Sequence, residues 1–142
     1  MNVKELRKYW CYKFSQRFNK PYSSDSFVLE LRLLKNLSTK YDINVILEAI
    51  DRFLDLVIER KASIRYFSVV FSDKFKDIIK LAPILKYQRR LSFFPIGIQD
   101  KIKSLIDEYR DLLQAEILSD NEKIRKNQIN NELERLTGNA AA

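Results

Sequence analysis

Large apolar side chains return every three or four positions along most of this chain, the spacing that lines one face of an α-helix. Leu6, Trp10, Phe14 and Phe18 recur every four residues and predict a first helix over 3–18 with an aromatic stripe. Lys4, Lys8 and Tyr12 fall opposite that stripe, with Tyr9 and Lys13 on its flank. The run from Asn19 to Asp25 reads as a turn. Ser24 or Asp25 is placed to cap a second helix over 26–39, because a short side-chain oxygen can accept an unpaired N–H of the first turn. On this pattern the second helix buries Phe27 or Val28, Leu31, Leu34 and Leu37.

Asp42 is placed to cap a third helix over 43–60. Its apolar face is Ile46, Leu47, Ile50, Phe53, Leu54, Val57 and Ile58, and Glu48, Asp51, Asp55 and Glu59 line the opposite one. A fourth helix over 64–81 turns Ile64, Phe67, Phe71, Phe75 and Ile78 inward; its helical period outweighs the strand propensity of Val69-Val70-Phe71. Pro83 restarts the chain into a shorter helix, and the segment from Ser92 to Gly97 is the clearest break.

Beyond Gly97 aromatics thin out to Tyr109 alone and charges of both signs intermix. Ile102, Leu105, Tyr109 and Leu112 follow a 3-4-3 spacing, a stripe suited to a protein partner. Ser119-Asp120-Asn121-Glu122 has the pattern of a capping box. The region is therefore either a helical hairpin turning near Ser119 or one helix of about 39 residues, close to 60 Å long. The expectation is an all-α protein. A compact domain of four to five helices over 1–97 is followed by a helical arm over 98–137 and a frayed tail over 138–142.

Composition narrows the chemistry. With 0 His, the commonest general base and metal ligand is missing. Cys11 stands alone, so no intramolecular disulfide or structural zinc site can form. With 2 Gly there is no phosphate-cradling glycine loop. No catalytic residue, cofactor, metal or small-molecule substrate is expected, and the protein reads as a non-enzyme. The carboxylates of Asp51 and Asp55, with Glu48 and Glu59, are the remaining candidates for divalent-cation chemistry; they read first as a solvated or docking face. The charged start of the chain and the lack of ~18 consecutive apolar residues point to a cytoplasmic protein without a membrane span.

The net charge is +7 and unevenly spread. Residues 1–40 carry nine Lys/Arg against three Asp/Glu, 41–60 two against five, and 61–100 eight against three. Within the two basic blocks, cations interleave with aromatics. The candidate nucleic-acid contacts are Lys4, Lys8 and Tyr12 in the first helix, Arg65, Lys76 and Lys80 around the fourth, and the run Lys86, Arg89 and Arg90 beside Tyr87. Lys and Arg neutralise phosphates and release counterions, while an exposed Tyr can stack on an unpaired base. A helix-turn-helix through the third and fourth helices is disfavoured, because it would bring four acids close to the phosphate backbone.

Trp10, Phe14 and Phe18, then Pro21-Tyr22, Leu34-Lys35, Tyr41, Ile46, Ile50, Phe53 and Ser63-Ile64 followed by Phe67, make up a pattern spread over about half the chain. It resembles helical modules of bacteriophage and plasmid replication-accessory proteins, of the replisome-organiser or helicase-loader type. Ala62-Ser63 stand where those modules carry a glycine before Ile-x-x-Phe. The resemblance implies a factor encoded by a virus or mobile element that bridges DNA, single-stranded or forked, and a replication protein such as a helicase or polymerase; if virus-encoded, it would act in the host cytoplasm. The competing expectation is a protein–protein adaptor or transcription regulator that docks on RNA polymerase.

Overall fold

Short polar side chains set the helix boundaries in this computed structural model, which describes residues 1–24, 26–114 and 117–138. Helix α1 (Val3–Phe18) starts where the Asn2 side chain accepts the Glu5 N–H at 2.9 Å, and ends at Asn19, whose φ of 56° is left-handed. Asn tolerates that conformation better than most residues. Ser26 caps α2 (Phe27–Lys40), Asp42 caps α3 (Ile43–Leu56) and Ser63 caps α4 (Ile64–Lys74). After α5 (Lys76–Lys80), helix α6 (Ala82–Arg89) carries Pro83 in its first turn, where the missing N–H costs nothing. Helix α7 (Ile96–Leu113) follows Pro95, and α8 (Asp120–Thr137) opens on the reciprocal Ser119–Glu122 capping box. The chain is all-α: the described residues hold eight α-helices and no strand.

Several expectations need correction. The cap of α2 is Ser26, not Ser24, and Asp25 lies outside the described residues. Phe27 and Val28 face solvent, while Glu30 takes the interior position one turn on. Helix α3 stops at Leu56 rather than at residue 60. Val57 and Ile58 continue as extended backbone, which β-branched side chains favour, into a single 3-10 turn at Glu59–Lys61. The expected helix over 64–81 is divided at Phe75, whose φ of −116° and ψ of 28° leave the helical range. Gly97 belongs to the first turn of α7, and residues 139–142 of the expected tail lie outside the described residues.

One compact unit spans Met1–Ile79. In it α1 packs on α2 and α3, and α4 packs on α2 and α3. Its interior is aromatic. The fully buried Trp10 ring lies 5.4 Å from Phe67 and 5.8 Å from Phe53, centroid to centroid, and 5.9 Å from Tyr22 in an edge-on arrangement. Phe67 also meets Phe71 and Phe75 at 5.4 and 5.8 Å. Ring pairs at these distances add to the free energy of area burial, so the core is anchored by Trp10 and Phe67.

The second compact unit spans Lys80–Ala142. Ile84, Tyr87 and Phe94 share one buried cluster with Ile102, Ile106, Tyr109, Ile129 and Leu133. The composition changes at Gly97, but residues 80–97 are thus part of the same core as the helices that follow. Arg125 of α8 pairs with Glu108 of α7, and Glu132 feels Lys101, so the contacts advance in opposite directions and the two helices run antiparallel. Phe67→Ala should destabilise the first unit by about 3–5 kcal/mol, read as a lower urea midpoint of Trp10 fluorescence. Ser119→Ala should cost about 1 kcal/mol, read as reduced thermal stability by circular dichroism.

Candidate nucleic-acid interface

The rotation of α1 about its own axis decides which of its cations face water. Arg7 is turned inward: its Nε donates to Glu30 Oε1 at 3.2 Å, and its guanidinium sits 4.6 Å from the centre of the Phe27 ring. Glu30 is only 5% exposed, and a carboxylate that buried must be paired. Its second oxygen accepts the Tyr22 hydroxyl at 2.5 Å, and that hydroxyl in turn accepts the Ile64 N–H at 3.2 Å. Arg7 also donates to Ser24 at 3.2 Å and approaches the Cys11 sulfur at 3.7 Å. This network joins α1, the turn after it, α2 and the start of α4. Burial, reinforced by the hydrogen bond to Glu30, pushes the Tyr22 phenol well above its usual range, and burial also raises the Cys11 thiol.

The flank of α1 is fixed in the same way against α3. Tyr9 donates to Asp51 at 2.5 Å, Lys13 pairs with Asp51 at 3.6 Å, and Lys20 pairs with Glu59 at 2.9 Å. Asp51 of α3 thus docks the basic flank of α1, and Glu59 in the 3-10 turn beyond α3 holds Lys20 in the turn that follows α1. Among the described residues, no three His, Cys, Asp or Glu side chains come together to hold a metal ion.

With Arg7 and Lys13 turned to partners, Lys4, Lys8 and Tyr12 share the outward face of α1, one turn apart from each other. All three are exposed, Tyr12 to 59%. Among the described residues, neither lysine makes an ion pair. Gln16 donates to the Tyr12 hydroxyl at 2.7 Å and steadies the ring at the surface. Two cations and an aromatic ring on one open helical face are what a phosphate–base repeat can use.

The remaining candidates are more scattered. Arg65 is exposed in the first turn of α4, beside a small recess lined by Tyr22, Ser24 and Ser63; Lys76 and Lys80 lie exposed at the two ends of α5. Lys86, Arg89 and Arg90 are brought together by helical spacing at the end of α6, where cations also complement the helix dipole. Tyr87 cannot stack on a ligand, because it is 4% exposed inside the core of the second unit.

The apolar stripe of α7 is also internal. Ile102 and Tyr109 are buried to 0% and 2% exposure, and Leu105 and Leu112 are half-buried against the same cluster. Ile102 and Tyr109 hold α7 to α6 and α8 and are closed to a partner, whereas Leu105 also borders an open groove; the buried stripe includes Ile106, which the 3-4-3 spacing passes over. What remains accessible is an open groove of about 810 Å³ between α7 and α8. Its rims carry Asp100, Lys101, Arg125, Glu132 and Arg135, with Leu105 and Leu136 between them.

Tyr22→Phe makes the network testable by pH. The folded state keeps the phenol protonated to higher pH than the unfolded chain, where it titrates near 10. Its contribution is complete below pH ~10 and is lost as pH rises further. The variant should be less stable near neutrality by about 1–3 kcal/mol and should lose less stability between pH ~9 and ~11 than the wild type. Fluorescence of Trp10, the chain's single Trp, reads both effects in the first unit.

No protein-family model, curated protein sequence or solved structure matches the chain.

Proposed function

We propose that this protein is a non-enzymatic DNA-binding accessory factor of replication, which holds single-stranded or forked DNA while engaging a replication protein such as a helicase. The observation that carries the DNA-binding part is the open face of α1, where Lys4, Lys8 and Tyr12 stand together without internal ion partners among the described residues. The cluster Lys86, Arg89 and Arg90 in the second unit supplies further positive charge. A net charge of +7 draws a polyanion to both.

Bridging needs a second surface. The groove between α7 and α8, with charges of both signs around two half-buried leucines, is the accessible candidate for the protein partner. Recruitment of this kind works by raising local concentration and requires no active site. No helix among the described residues is long and apolar enough to cross a membrane.

The test is fluorescence anisotropy with labelled single-stranded, double-stranded and forked DNA across a salt series. Binding that prefers single-stranded or forked DNA, with a slope of several released ions, is expected. Equal, weak binding confined to low salt would refute it. Lys4→Glu with Lys8→Glu, and separately Lys86→Glu with Arg90→Glu, should each weaken binding at least tenfold. Each pair should flatten the salt slope by about 1.4–1.8, from two lost phosphate contacts, with helix content unchanged by circular dichroism.

A further inference from the structure

Phe93 is 83% exposed and Ile96 is 85% exposed, although they stand only three positions apart in the connection between α6 and α7. Isolated exposed apolar side chains are ordinary; two so close together on a backbone this well held are a feature. The backbone is held from both sides. The Phe93 N–H donates to the Arg90 carbonyl at 2.9 Å, and the Phe94 N–H donates to the Leu91 carbonyl at 3.2 Å, closing a 3-10 turn at Leu91–Phe93. Phe94 is buried in the core of the second unit, Leu91 packs partly against it, and Gln99 donates to the Phe94 carbonyl at 2.7 Å. With Leu91 and Phe94 drawn inward, Phe93 is driven out, in a turn that has little freedom left to lose on binding.

The charge around this knuckle is positive. Arg90 is exposed one 3-10 turn before Phe93, and Lys86 is exposed one helical turn before Arg90, its Nζ 5.0 Å from the buried Tyr87 ring. Neither makes an ion pair among the described residues. Pro95 gives α7 no side-chain cap, and no acid lies in its first turn. An exposed ring beside unpaired cations matches an unpaired base between phosphates. An anionic bilayer fits less well. A flat lipid surface takes up a broad apolar face, whereas only two side chains are offered here and the exposed Asp100 follows on α7.

We infer that Phe93 is a stacking platform for an unpaired nucleobase, with Lys86 and Arg90 on the adjoining phosphates and Ile96 covering the edge of the base. This rests on the nucleic-acid reading above and adds to it a specific contact within the second unit.

The full chain and its variants Phe93→Leu, Phe93→Tyr and Phe93→Trp are to be titrated with single-stranded DNA, single-stranded RNA and the same DNA carrying central abasic sites. Phe93→Leu should weaken binding about five- to hundredfold, the range for one stacked base, whereas Tyr and Trp should retain it. Abasic substitution should weaken the wild type and leave Phe93→Leu nearly unaffected. Parallel losses on DNA and RNA would mark the shared base chemistry; a loss on one alone would name the ligand. If the wild type binds single strands but all three variants bind equally well, the inference is overturned while the DNA-binding reading stands. If no oligonucleotide binds at physiological salt, both fall. Loss in Phe93→Leu confined to vesicles of mixed anionic and neutral phospholipid would replace the base with a membrane.

Discussion

The carboxylate of Glu30 is the constraint on which the first unit turns. A charge at 5% exposure is tolerable only when its oxygens are matched, and here Arg7 takes one and Tyr22 the other. Removing Arg7 would leave the buried charge unpaired, and removing Tyr22 would leave one of its oxygens unmatched, so α1, the turn at Tyr22 and α2 are held in one arrangement. The Ile64 N–H on the same hydroxyl brings the start of α4 into register. Once Arg7 points at α2, a helix advancing 100° per residue has no freedom left. Trp10 and Phe14 face the core, Tyr9 and Lys13 meet Asp51, and Lys4, Lys8 and Tyr12 look outward. The exposed basic face is a consequence of how the interior is paired.

The pairs between α1 and the acids at α3 and beyond it do a different job. Lys20 and Glu59 are each about half exposed, where a salt bridge contributes on the order of 0–1 kcal/mol. Their effect is on specificity: together with the Asp51 contacts they engage Tyr9 and Lys13 on one flank of α1 and leave Lys4 and Lys8 on its far side uncompensated among the described residues. A chain with 26 basic and 19 acidic residues can therefore present a distinctly positive face without an extreme net charge.

The helical architecture was legible because its signals are local. The recurring stripe of α1, the cap at Asp42, Pro83 in the first turn of α6 and the Ser119–Glu122 box each rest on spacings of four positions or fewer. The errors arose where tertiary pairing overrides local preference. Phe27 and Val28 look like core and lie outside, because Glu30 with its distant partners Arg7 and Tyr22 occupies the interior. The stripe Ile102, Tyr109 looked available to a partner, but α6 and α8 of the same unit cover it. Phe93 and Phe94 are adjacent and alike, so nothing in their spacing says which is exposed; the 3-10 turn decides it. The outward positions of Lys4, Lys8 and Tyr12 followed from the helical wheel alone, since they lie opposite the largest apolar residues.

The division of cations into those held internally and those left for a polyanion is tested most directly by lysine acetylation, quantified by mass spectrometry with and without single-stranded DNA. Protection is expected at Lys4, Lys8 and Lys86. Lys13 and Lys20, engaged with Asp51 and Glu59, should react equally in both samples. Protection spread evenly over all lysines, or absent from Lys4 and Lys8 under conditions where DNA is bound, would contradict the assignment of the α1 face.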